Sequence, residues 1–152
     1  MIKATVNREY NLLHLAFKGR IGQNEFIQLE RMLPSVFRCL GADFILMTDL
    51  SEVEEIEFAC TGLIGALMEH IVEAGLGQVI RVIPDSSKDI GFAILEAFHY
   101  PAMLPVRVYA DLEEAKQNLT VRSGHIYEIA EEESCEEYIE AGFRNNPASA
   151  SV

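Results

Sequence analysis

Thr61-Gly62 stands at the start of an apolar-striped stretch, directly behind a run of carboxylates: Asp49, Glu52, Glu54, Glu55 and Glu57. A hydroxyl at the start of a helix caps free backbone N–H groups, which by itself accounts for a threonine there. The same place suits a phosphate, because backbone donors and the helix dipole stabilise negative charge. The neighbouring glutamates act in the opposite direction. A phosphate on Thr61 beside Glu54 and Glu57 meets repulsion, so modification there would switch a docking surface off. Ser51 is a second candidate hydroxyl, although a serine two residues after an aspartate commonly makes a local loop hydrogen bond. Carboxylates also ligate hard cations, but this spacing is not that of an EF-hand and no glycine turn focuses the side chains. We therefore read the segment as a solvated acidic loop able to serve as a docking surface, with Gly62 at its end.

Other reactive residues are scattered. Cys39, Cys60 and Cys135 form no CxxC pair, and MIKATVNREYNLL at the N-terminus lacks a signal-peptide pattern, so free thiols are expected. Cys60 has no visible base beside it. His14, His70, His99 and His125 fall on different elements. Phosphate-loop, dinucleotide, nucleophile-elbow and zinc-protease motifs are absent. The expectation is a protein without catalysis, cofactor or metal.

A net charge of −12 argues against nucleic acid and against an anionic membrane surface. Residues 121–152 carry −5 of it, leaving −7 on the rest. No apolar run is long enough to span a bilayer, so a cytoplasmic location is expected. A length of 152 residues fits one compact domain.

The elements that must position Thr61 follow from periodicity. Ile2–Asn7 and Leu12–Phe17 read as a hairpin, and Lys18-Gly19-Arg20 closes it. Phe26, Leu29, Leu33, Phe37 and Leu40 make a helical stripe, interrupted by Pro34 and ended by Gly41. Phe44–Met47 is a buried strand that Asp49-Leu50-Ser51 leaves. Leu63, Leu67 and Ile71 define the helix opened by Thr61, and Gly75 and Gly77 stop it. Gln78–Ile83 is a strand, and a helix follows from about Lys88 to Phe98 with Ile90, Ala93, Ile94 and Ala97 inward. Val106–Tyr109 is the last strand, before a helix capped by Asp111. Alternation of this kind implies a mostly parallel sheet with one antiparallel edge.

With these elements the chain resembles the STAS family, the sulfate-transporter and anti-sigma-factor-antagonist domains. Asp49-Leu50-Ser51 matches the family's Asp-x-Ser, Val53 and Ile56 its hydrophobic positions, and Glu57 its acid. Thr61-Gly62-Leu63 resembles the phosphorylatable Ser/Thr-Gly-Leu, and Val82-Ile83-Pro84 and Tyr109–Ala115 agree as well. Phe58-Ala59-Cys60 makes the connection longer than the family pattern. Aligned without a gap the phosphoacceptor position falls on Ala59, and with one it falls on Thr61. The likeness covers residues 1–119 and leaves 120–152 as an acidic extension, expected to be partly disordered with a short helix over Ala130–Ala141.

The resemblance implies an α/β, STAS-like fold: an N-terminal β-hairpin, then alternating strands and helices in a four- to five-stranded mixed sheet. It implies a bacterial transcription regulator that binds an anti-sigma factor of the serine/threonine-kinase type when unphosphorylated and releases it when phosphorylated. Asp49, Glu52, Glu54, Glu55, Glu57 and Gly62 are the expected partner contacts. A second reading is a small-molecule or lipid carrier, motivated by the surplus of apolar residues Phe92, Leu95, Phe98, Tyr100, Met103 and Leu104. Phe98–Leu104 also suits a homodimer contact.

Overall fold

Alternating apolar residues open the chain and pair as expected. β1 (Ile2–Asn7) and β2 (Leu12–Ile21) form an antiparallel hairpin. Its turn places Asn11 at φ 52°, a left-handed conformation that asparagine tolerates better than most residues. The Asn11 side chain accepts a hydrogen bond from the Gly41 N–H (2.7 Å) and donates one to the Ala42 carbonyl (2.9 Å), so the hairpin turn fixes the loop feeding the next strand. The computed structural model describes residues 1–123, and side chains as far as 119. The expectations for the acidic extension beyond this point, its disorder and its short helix included, lie outside the described residues.

The helical stripe becomes α1 (Gln23–Phe37), with Phe26, Leu29, Leu33 and Val36 buried. Pro34 does not split it. In the last turn a proline removes only one hydrogen bond of the ladder, and the chain then tightens through Cys39 N–H to Val36 O (3.0 Å) and Leu40 N–H to Phe37 O (3.1 Å). Gly41 does not adopt a positive φ and is no left-handed cap. β3 (Phe44–Ile56) follows, and α2 (Thr61–Glu73) is turned back by Gly75 at φ 110°. β4 (Leu76–Val82), α3 (Ile90–His99), β5 (Val106–Tyr109) and α4 (Leu112–Ser123) complete the order.

The five strands lie in chain order, and every pair after the hairpin is parallel. α1, α2 and α3 cover one face, where Leu13, Leu15, Phe17, Leu46 and Val79 meet Leu33, Leu67 and Ile71. α4 covers the other through Ala115 and Leu119 on Leu12, Met47, Ile80 and Val82. This is the mixed α/β architecture expected. No helix among the described residues is long and apolar enough to cross a membrane.

α3 is turned the other way from expectation. Ile90 and Ile94, expected inward, are 67% and 54% exposed, and Ala93 and Ala97 are exposed as well. Phe92 and Leu95 pack against the core instead. Both faces of this helix are apolar, so periodicity could not choose between them; Glu96 and its partner in the sheet do.

Candidate functional site

The acidic segment is a strand, not a loop. β3 keeps its pairing with β2 as far as Ile56, whereas its pairing with β4 ends at Asp49–Val82. Its last seven residues therefore overhang β4. Two register shifts against β2, between Ala16 and Lys18 and between Gly19 and Arg20, insert extra residues into this part of β3. Inward positions then recur every third residue, Leu50, Val53 and Ile56, instead of every second. Ser51, Glu52, Glu54 and Glu55 are exposed. Glu55 takes Arg20 Nη2 at 2.6 Å, a surface ion pair worth less than about 1 kcal/mol. Asp49 Oδ1 accepts from the Ser51 backbone N–H (3.0 Å) and hydroxyl (2.6 Å), so Ser51 makes the local hydrogen bond.

At the end of the overhang Glu57 N–H donates to Ile21 O (3.0 Å), and a single 3-10 turn, Phe58–Cys60, leads into α2. That turn absorbs the two residues by which the chain exceeds the family pattern. Ala59 sits within it, its carbonyl accepting from Gln23 Nε2 at 3.3 Å. Thr61 is the first residue of α2 and is exposed. Its hydroxyl does not cap the helix. Oγ1 donates backwards to Phe58 O at 2.7 Å. Gly62 is exposed with open space around it, and Phe58 is 91% exposed beside them. The fold thus gathers Glu57, Phe58, Thr61 and Gly62 at one tip. Asp49 and Ser51 lie further back along β3, Ser51 roughly 15 Å from the strand's end at about 3.3 Å per residue.

Cys60 is buried, and burial pushes its thiol above the usual range, with the charges of Glu57 and Glu25 adding to the effect. Neither described histidine on a helix serves it: His70 Nδ1 meets Glu30 (2.9 Å) and His99 Nδ1 meets Glu69 (3.2 Å). A nucleophile needs thiolate and access, and Cys60 has neither. Iodoacetamide at neutral pH is expected to leave Cys60 unmodified in native protein and to label it in urea, read by peptide mass mapping. Native labelling at the rate of a free thiol would contradict this burial.

The residue that the sequence reading missed is Arg81. It is 3% exposed near the C-terminal end of β4, its Nε donating to Asp89 Oδ1 at 2.7 Å and its Nη1 to Glu96, with its guanidinium 5.2 Å from the centre of the Phe92 ring. Burial alone would lower its pKa, but the hydrogen bonds and charges of Glu96 and Asp89 outweigh it and hold the group above its ordinary value. Burial, then the Glu96 charge, pushes the nearby Tyr100 hydroxyl up. Arg81, Phe92 and Tyr100 close one end of a cavity of about 50 Å³ whose remaining wall includes Phe17, Leu46, Met68 and Val79. The signal was present: an arginine inside the apolar QVIRVI, and two acids seven residues apart on the following segment, hence on one helical face.

No protein-family model matches the sequence, and no curated protein matches it. Solved structures do. An uncharacterized protein of the DUF3478 family from Shewanella loihica PV-4, with a SpoIIAA-like fold, superposes with a TM-score of 0.60 at 12% identity, over 78% of this chain and 92% of that one. An anti-sigma factor antagonist from Mycobacterium paratuberculosis gives 0.49 at 20% identity, over 78% and 94%. The phosphorylated Bacillus cell fate determinant SpoIIAA gives 0.49 at 16%, over 78% and 99%. The strand order, the antiparallel first strand and the Shewanella superposition agree, and the chain has the SpoIIAA-like, STAS-like fold.

Proposed function

We propose that the chain is a cytoplasmic, non-enzymatic regulatory module, a STAS-like unit over residues 1–119 with an acidic extension, that binds a partner through the β3 overhang and the start of α2. The partner class is an anti-sigma factor of the serine/threonine-kinase type. The observation that carries this reading is the tip: Thr61 is exposed at the first position of α2, next to exposed Phe58 and Gly62, and its hydroxyl is spent on the Phe58 carbonyl. Phosphorylation would replace that donor by acceptor oxygens facing a carbonyl, breaking the bond and driving the 3-10 turn away. A partner seated on Phe58 and Gly62 would lose its surface.

Wild-type and Thr61→Glu proteins used as baits in lysate of the native host test this. Wild type is expected to retain a kinase-like protein and Thr61→Glu to lose it at least about tenfold, the cost of roughly 1.4 kcal/mol in affinity. Equal retention would remove Thr61 as the control.

The cavity under α3 favours a second reading, a carrier for a small apolar molecule. α3 contributes no fully buried residue to the fold, so it can be lifted from the sheet at less cost than α1 or α2. Ligand co-purifying in native mass spectrometry would move this reading ahead.

A further inference from the structure

Beyond Asp49–Val82 the slot that a longer β4 would fill is empty of strand among the described residues. Ile83 N–H turns to Tyr109 O (2.8 Å), Pro84 has no N–H to offer, and Asp85 caps the 3-10 turn Ser86–Asp89 that carries the chain away. What remains is an open groove of about 300 Å³ between the β3 overhang and that departing turn. Its floor is apolar, with Val53, Ile83 and Phe92, and its rims carry Glu54, Asp85 and Lys88. One long wall is a strand edge, because β3 pairs here with β2 alone.

We propose that this groove takes an extended, lysine- or arginine-bearing segment of a partner protein as an added strand along β3. An open strand edge offers main-chain hydrogen bonds to any extended chain, and pockets on alternate sides supply selectivity. Charge selects the occupant. Glu54 and Glu55 line the groove from the strand edge and Asp85 from the departing turn, and Lys88 is the one cation among the described lining residues. Charged residues and bulges on an open edge usually discourage pairing. Here the charges are carboxylates, on a chain of net charge −12, so they repel a second copy while attracting a basic strand. The inference rests on the protein-binding reading above and adds the chemistry of what is bound. Thr61 does not line the groove, which makes the two separable.

The probe is a synthetic peptide alternating lysine and valine, added to the full-length protein, with its alternately N-methylated twin as control. The expected result is binding that shifts and protects the backbone amides between Leu50 and Ile56 by NMR. N-methylation should abolish it, since it removes the strand donors. Glu54→Lys/Glu55→Lys, exposed changes that leave the core untouched, should weaken it at least about tenfold. Unperturbed amides at millimolar peptide, or equal binding of the N-methylated twin, would overturn the proposal. Peptide binding in a protein that retains no kinase-like partner would keep the groove and discard that partner class; a retained partner without peptide binding would do the reverse.

Discussion

Arg81→Met is expected to lower the unfolding free energy by about 3 kcal/mol, the low end of what breaking a buried ion pair costs. Methionine fills much of the volume, so the loss is electrostatic. Asp89 and Glu96, 21% and 14% exposed, would be left facing each other across an apolar wall with no cation between them. Partial exposure keeps the penalty from the upper end of the range, and the lost cation–π contact with Phe92 adds to it. The damage should be local before it is global. α3 is tied to the sheet chiefly by this clasp and by half-buried Phe92 and Leu95, so its amides should exchange faster than those of α2 in the variant. Urea unfolding measures the first effect and hydrogen exchange the second. The triple variant Arg81→Met, Asp89→Asn, Glu96→Leu should recover most of the stability, because removing a whole buried charge set is close to neutral. A single variant as stable as wild type would mean that the clasp does not hold α3.

What the residues announced and what they hid divide along physical lines. Short strands and amphipathic helices were legible because one face of each is apolar; Val106–Tyr109 was read at its observed bounds. β3 was cut short because its last seven residues are rich in glutamate and two register shifts turn their inward period from two into three. A period of three with acids between looks like a loop. The facing of α3 was inverted because both of its faces are apolar and only the pairing of Glu96 with Arg81, a contact across fifteen residues, decides between them. Thr61 was legible as the start of α2, but the direction of its hydroxyl was not, since that depends on the 3-10 turn behind it. Which way a hydroxyl or a helix face turns is decided by partners that meet it only in the folded chain.

Gly77→Val should be the most damaging single change among the described glycines. A Cβ built there would stand 2.7 Å from the Asp43 carbonyl oxygen and 2.8 Å from its carbonyl carbon and Cα. Those are backbone atoms, and they cannot swing aside as a side chain would. Asp43 is itself held at φ 56°, at the entry to β3, and the β3–β4 register steps between Phe44 and Ile45 where Gly77 is passed over. The missing side chain is what lets the two central strands begin their pairing. Filling it should cost about 3 kcal/mol, the upper end of overpacking penalties, and the loss should appear as a lower urea midpoint with β4 amides exchanging early. Gly62→Ala is the matched control. Nothing lies within 4 Å of a Cβ at that position, it falls in the first turn of α2, and alanine is the better helix former by at most about 1 kcal/mol. The two substitutions should therefore move stability in opposite directions. Equal destabilisation by both would show that glycine is required for backbone conformation at Gly62 and not for close approach at Gly77 alone, and a tolerated Gly77→Val would mean that the β3–β4 junction can open by an ångström without loss.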